Sequence, residues 1–154
     1  MAEHVRDYPR PPRVEPVTAR VRVVFNGTTI ADTTRAQRVL ETYGAPVFYI
    51  PLADVRADAL SETARTTVCE WKGTASYCSV RVGDRLAEDA GWLYRRPNPG
   101  YEAIRDHIAF YCAPMDECPV GDERARPQPG GFYGGWITDG IVGPFKGEPG
   151  TEGW

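Results

Sequence analysis

No apolar run in the 154-residue sequence approaches the length of a membrane span. The stretch from Met1 to Pro9 has no apolar segment of the kind that drives secretion. The expectation is a cytoplasmic protein with reduced thiols and no membrane contact. With two histidines, a histidine-based metal cluster is poorly supplied. The four cysteines, at 69, 78, 112 and 118, form no Cys-x-x-Cys pair and match neither a zinc ribbon nor a thioredoxin-type motif. A glycine-rich phosphate loop, a Gly-x-Ser-x-Gly elbow and the acid spacing of a calcium loop are all missing. So is the Asp-x-Asp pattern that would hold magnesium. No metal and no cofactor are therefore expected. Positive charge is not in excess either: the net charge is −3, which argues against nucleic acid as a partner.

What is present describes a turn-rich globular chain. Gly 16 and Pro 14 favour loops over helices. A chain of this length makes one domain that buries roughly 70% of its unfolded surface, without need of disulfides. Residues 1–18, with Pro9, Pro11, Pro12 and Pro16 among charges, predict an extended or poorly ordered arm. Residues 19–113 predict a mainly-β core, α+β at most, with one or two short helices. Residues 114–154 are rich in Gly, Pro and aromatics. Phe132, Tyr133, Trp136 and Phe145 are not the composition of disorder, so this extension is expected to pack on the core or on a second subunit.

Local signals vary in strength. Val21, Val23 and Phe25 alternate, and Asn26-Gly27 follows before a second strand-like run. That predicts a hairpin, because both turn positions need positive φ. Ala36, Val39 and Leu40 suit a helix over 34–43, and a strand through Arg38–Glu41 is nearly as well supported. Val47–Ile50 reads as a buried strand closed by Pro51, and Ala53–Ser61 as a short helical turn. Trp92 and Tyr94 share one face of a strand over 89–94. Asn98-Pro99 predicts the start of a short helix. His107–Cys112 is the last strong strand. The longest run rich in β-branched and aromatic residues is Thr66–Val82, read as strand, tight Lys72-Gly73 bend, strand.

These residues carry a resemblance. The Asn26-Gly27 hairpin, Arg38-Val39-Leu40-Glu41, Tyr49-Ile50-Pro51, Cys69-Glu70-Trp71-Lys72-Gly73-Thr74-Ala75-Ser76-Tyr77, Trp92-Leu93-Tyr94 and Ile108-Ala109-Phe110-Tyr111 resemble domain-of-unknown-function family 427. The likeness covers roughly residues 20–112, about 60% of the chain. The family is also filed under a nucleotidyltransferase-like label. The resemblance implies small coiled antiparallel sheets similar to the β-tent proteins. Many of those hold zinc through paired Cys-x-x-Cys motifs, which this chain lacks. Glu70 stands where the family often carries proline. The tail after Cys112 resembles that of a bacterial subgroup.

Candidate site residues follow from type and place. Lys72, on a bend among aromatics, suits a point charge for phosphate, a Schiff-base amine or a general base; its plain alternative is a snorkelling lysine packed on Trp71. Arg38 suits an anion clamp and Glu41 a proton-transfer group. On a helix these two would pair; on a strand they would face opposite sides. Tyr49, Tyr77, Trp92, Tyr94 and Tyr111 alternate along strands and are core-like. Their hydroxyls, though, need partners that a polar-tipped cleft supplies. Cys69 suits a nucleophile with His107 as base, against the plainer reading of inert buried thiols. A redox pair of Cys69 and Cys78 is a third reading.

The expected function is a site for a planar, anionic small molecule, lined by Tyr49, Lys72, Tyr77, Trp92 and Tyr94 with Arg38 and Glu41 nearby. Whether a reaction runs there is left open. The alternative is an interaction module in which the arm and tail form a homodimer or partner interface.

Overall fold

A computed structural model describes residues 2–154. The amino-terminal segment supplies β1 (Glu3–His4) and β2 (Arg13–Pro16). The hairpin is β3 (Val21–Phe25) and β4 (Thr28–Thr33), with φ of 47° at Asn26 and 76° at Gly27, the geometry that pair selects. Next come β5 (Gln37–Leu40), β6 (Val47–Pro51), β7 (Leu60–Cys69), β8 (Gly73–Val82), β9 (Arg85–Leu93) and β10 (His107–Phe110). The last segment adds short strands: β11 (Pro119–Val120), β12 (Glu123–Arg124), β13 (Arg126–Pro127), β14 (Trp136–Ile137) and β15 (Ile141–Val142). Among the described residues helix is confined to four three-residue 3-10 turns, at Val5–Asp7, Leu52–Asp54, Ala57–Ala59 and Glu102–Ile104. The protein is mainly β, built of several small antiparallel sheets that do not close into a barrel. Among the described residues no helix is long and apolar enough to cross a membrane.

The principal sheet has seven strands in the order β2-β5-β6-β10-β9-β8-β7, all antiparallel. One face packs on a four-stranded sheet, β12-β11-β3-β4. Phe48, Ile50, Val80, Leu93, Ile108 and Phe110 meet Val21, Val23, Phe25 and Ile30 there in one buried, largely aliphatic cluster. Trp136 of the carboxy-terminal segment is sealed in the same cluster. Its ring lies 5.2 Å from that of Phe48, and its Nε1 donates to the Phe110 carbonyl at 2.9 Å.

Several local expectations are corrected. Of the two alternatives for the 34–43 region the strand holds, over Gln37–Leu40: Gln37, Arg38 and Val39 pair with β6 on one side and β2 on the other, and a helix would forfeit both ladders. Of the two alternatives for the proline-rich arm, extended or poorly ordered, its described residues take the extended one. Arg13–Pro16 forms the edge strand of the large sheet, and Val5 and Tyr8 are buried with Leu40, Ala45 and Phe145. β7 starts at Leu60, six residues before the predicted strand, and a register shift between Glu62 and Thr66 separates its two halves. Asn98 caps no helix. Its backbone N–H donates to the Lys72 carbonyl at 2.9 Å and its Nδ2 to the Trp71 carbonyl at 3.2 Å, so it braces the bend instead.

Candidate functional site

Alternation along a strand sends successive side chains to opposite faces. The face away from the aliphatic cluster therefore carries Val39 from β5, Tyr49 from β6, Ala75 and Tyr77 from β8, and Trp92 from β9, with Tyr94 just beyond it. The carboxy-terminal segment folds across this face and leaves a cavity of about 270 Å³ between tail and sheet.

Glycine makes that close approach possible. A Cβ at Gly134 would overlap the Trp92 ring, and one at Gly135 would overlap the Ala45 carbonyl and the Gln128 side chain. Gln128, buried, fastens the tail from both ends of its amide. Its Oε1 accepts from the Ala45 N–H at 2.9 Å and its Nε2 donates to the Lys146 carbonyl at 3.0 Å. The Tyr111 hydroxyl donates to the Phe132 carbonyl at 2.9 Å.

Lys72 sits at the end of the three-residue turn between β7 and β8, which closes where Cys69 pairs with Gly73. The residue is 8% exposed. Its Nζ donates to Cys69 Sγ at 3.3 Å and lies 5.9 Å from the centre of the Tyr94 ring. Among the described residues Cys69 is its one hydrogen-bond partner. An ammonium has three N–H donors, so two are unused by the protein. Burial alone would pull the Lys72 pKa down, but Tyr94, Cys69 and Glu41 around it more than reverse this, and the net direction is above the ordinary lysine value. Lys72 is thus a held cation, a condition that suits anion binding and not a free-amine base.

The aromatic wall is partly satisfied within itself. Trp92 Nε1 donates to the Tyr49 hydroxyl at 3.3 Å, and Thr67 shares a 3.1 Å bond with the Tyr77 hydroxyl. The Trp92 ring lies 4.7 Å from Tyr111 and 6.3 Å from Tyr77. Burial pushes the Tyr49 and Tyr94 hydroxyls well above the usual tyrosine range, so both stay protonated.

Lys72, Glu41, Tyr49, Tyr77, Trp92 and Tyr94 all line this one cavity. Arg38 does not. On a strand it points away from Val39, to the side where its Nε donates to Glu15 at 2.6 Å and its Nη2 meets Glu3 at 3.0 Å. It clasps the amino-terminal segment and has no role as an anion clamp in the cavity. His107 is likewise elsewhere, paired in register with Pro51, its Nδ1 2.7 Å from the Arg105 carbonyl. It cannot serve Cys69 as a base.

Sequence reasoning missed the opposite wall: Gln128, Phe132, Tyr133, Gly134, Gly135 and Lys146. One signal was available. Lysine occurs twice in the chain, at 72 and 146, each between an aromatic residue and a glycine, and both line this cavity.

A family model described as domain of unknown function 427, labelled NTP_transf_9, matches residues 13–121. No curated protein matches the chain. The chain belongs to the domain-of-unknown-function family 427.

Proposed function

We propose that this family member binds a planar, anionic small molecule in the cavity between its tail and the large sheet. The supporting observation is the Lys72 ammonium: nearly sealed from water, with one soft sulfur partner and two free N–H donors on a cavity wall. Its surroundings keep it charged, and two of its three N–H donors are left for a ligand to complete. A carboxylate or phosphoryl oxygen is the acceptor that does so with charge-assisted bonds. Lys146 adds a second cation from the facing wall. The rings of Trp92, Tyr94 and Tyr111 suit a flat, conjugated body. Glu41 is the one carboxylate on the lining, a group able to take or give a proton there.

The nucleotidyltransferase label of the family fits these residues poorly. Phosphoryl-transfer sites of that kind hold magnesium between carboxylates. The cavity offers one, and among the described residues no three potential ligands cluster anywhere.

The test is a thermal-shift screen of wild type and Lys72→Ala with planar carboxylates, planar phosphates and the neutral amide or ester of each. A ligand at about one hundred times its Kd adds roughly 2.7 kcal/mol of stability. The acids should raise the melting temperature of wild type, their neutral analogues should not, and Lys72→Ala should lose the response. Equal responses to acid and amide would contradict the reading.

A further inference from the structure

The same cavity holds a nucleophile that the binding role leaves unused. Cysteine occurs four times in the chain, and Cys78, Cys112 and Cys118 are buried in the aliphatic cluster on the other face of the sheet. Cys69 alone is half-exposed, and it lines the cavity as well as a shallower groove beside Arg95 and Arg96. It stands at the end of β7 opposite Gly73, which has no side chain to cover the sulfur. The Lys72 ammonium, 3.3 Å away, is the counter-ion that a thiolate requires. The two groups are three residues apart across one tight turn. The sulfur, the cation and the flat aromatic wall therefore converge on the same space.

We propose that Cys69 attacks the bound ligand, and that the ligand class is a planar anion with a conjugated electrophilic carbon, such as an α,β-unsaturated keto acid. This rests on the anion-binding reading of the cavity and adds chemistry to it. In the step, the thiol proton leaves to water and the sulfur bonds to the β-carbon. The C=C π pair shifts toward the carbonyl as an enolate, and the α-carbon then takes a proton from water. The sum is addition of S–H across C=C, and no oxidant, reductant or other co-reactant is consumed. The Lys72 ammonium, 3.3 Å from the sulfur, holds the acid end with the N–H donors that Cys69 leaves free.

Two probes of matched size, iodoacetate and iodoacetamide, test the site, with peptide mass spectrometry to locate the label. Cys69 should be labelled before the three core cysteines. Its iodoacetate-to-iodoacetamide rate ratio should exceed that of free cysteine by about tenfold, the scale of one charge-assisted contact. Lys72→Met should return the ratio to the free-cysteine value, and Lys72→Arg should retain most of the preference. β-Benzoylacrylate should then add its whole mass to Cys69. The saturated β-benzoylpropionate, which cannot react, reports binding alone through the melting temperature. If the saturated acid binds while Cys69 stays unmodified by the unsaturated one, the nucleophile is overturned and the binding reading stands. If Cys69 shows no charge preference and neither acid shifts the melting temperature, both are overturned.

Discussion

On one face of the seven-stranded sheet stand Phe48, Ile50, Val80, Leu93, Ile108 and Phe110; on the other face of the same strands stand Tyr49, Tyr77, Trp92 and Ala109. The first set meets a second sheet and is closed by Trp136. The second meets a glycine-rich tail, and it keeps a cavity with hydroxyls, a thiol and two lysines on its walls. Both faces are fed by the same backbone ladders. What separates them is what covers them. A sheet fills the space with side chains, whereas the tail rests on the rings through bare backbone at Gly134 and Gly135, and a cavity remains beside these contacts. The comparison teaches that the aliphatic face carries the stability of this fold, and that the aromatic face is free to hold groups a core would reject.

Substitutions on the two faces should therefore separate stability from binding. The largest loss is expected on the aliphatic face. Trp136→Ala removes a fully buried ring and leaves the Phe110 carbonyl without its donor, for about 3–5 kcal/mol by chemical denaturation. A loss under about 1 kcal/mol would show that the tail is not part of the core. Gly134→Ala comes next. The added methyl must push the tail off Trp92, costing about 1–3 kcal/mol and lowering anion affinity together with stability.

Lys72→Met should reverse the pattern. Its stem volume is kept and one contact to sulfur is lost, so stability should change by less than about 1 kcal/mol while anion affinity falls at least tenfold.

The smallest effect lies outside both faces, in the clasp of the amino-terminal segment. Burial pushes the Glu3 carboxyl up, but the Arg38 guanidinium and the Tyr8 hydroxyl outweigh it, and the net direction is below the usual carboxylate value. A folded pKa held low contributes stability that is complete above the unfolded value of about 4.3 and is lost as pH falls through the lowered one. Arg38→Gln should flatten a small part of the stability loss between about pH 5 and 3, and should leave anion binding unchanged. An affinity change in that variant would return Arg38 to the site.

Much of the aromatic face was legible in the sequence, because period-two alternation in Thr66–Val82 and 89–94 places Tyr77, Trp92 and Tyr94 by geometry alone. The Asn26-Gly27 turn was legible for the same local reason. Arg38 was misplaced because an Arg-x-x-Glu spacing serves helix and strand alike. Only the pairing with β2, itself hidden in a proline-rich arm, decides between them. The facing wall was illegible in a different way. Nothing in Gly130–Gly135 says which ring it will lie against, since the contact of Gly134 with Trp92 spans 42 positions and depends on the tertiary path. The Cys69–Lys72 pairing was closest to being readable, three residues apart, but a tight turn was needed to fold the ammonium back onto the sulfur.

The central claim is that Lys72 is kept buried to receive an anion. The most direct measurement is isothermal calorimetry of one planar acid, at neutral pH, against wild type and Lys72→Met, with the melting temperature of each protein recorded alone. The account predicts a Kd at least tenfold weaker in the variant at nearly the same melting temperature. The same Kd in both proteins, or a fall in melting temperature as large as the loss of affinity, would contradict it and make Lys72 a structural residue.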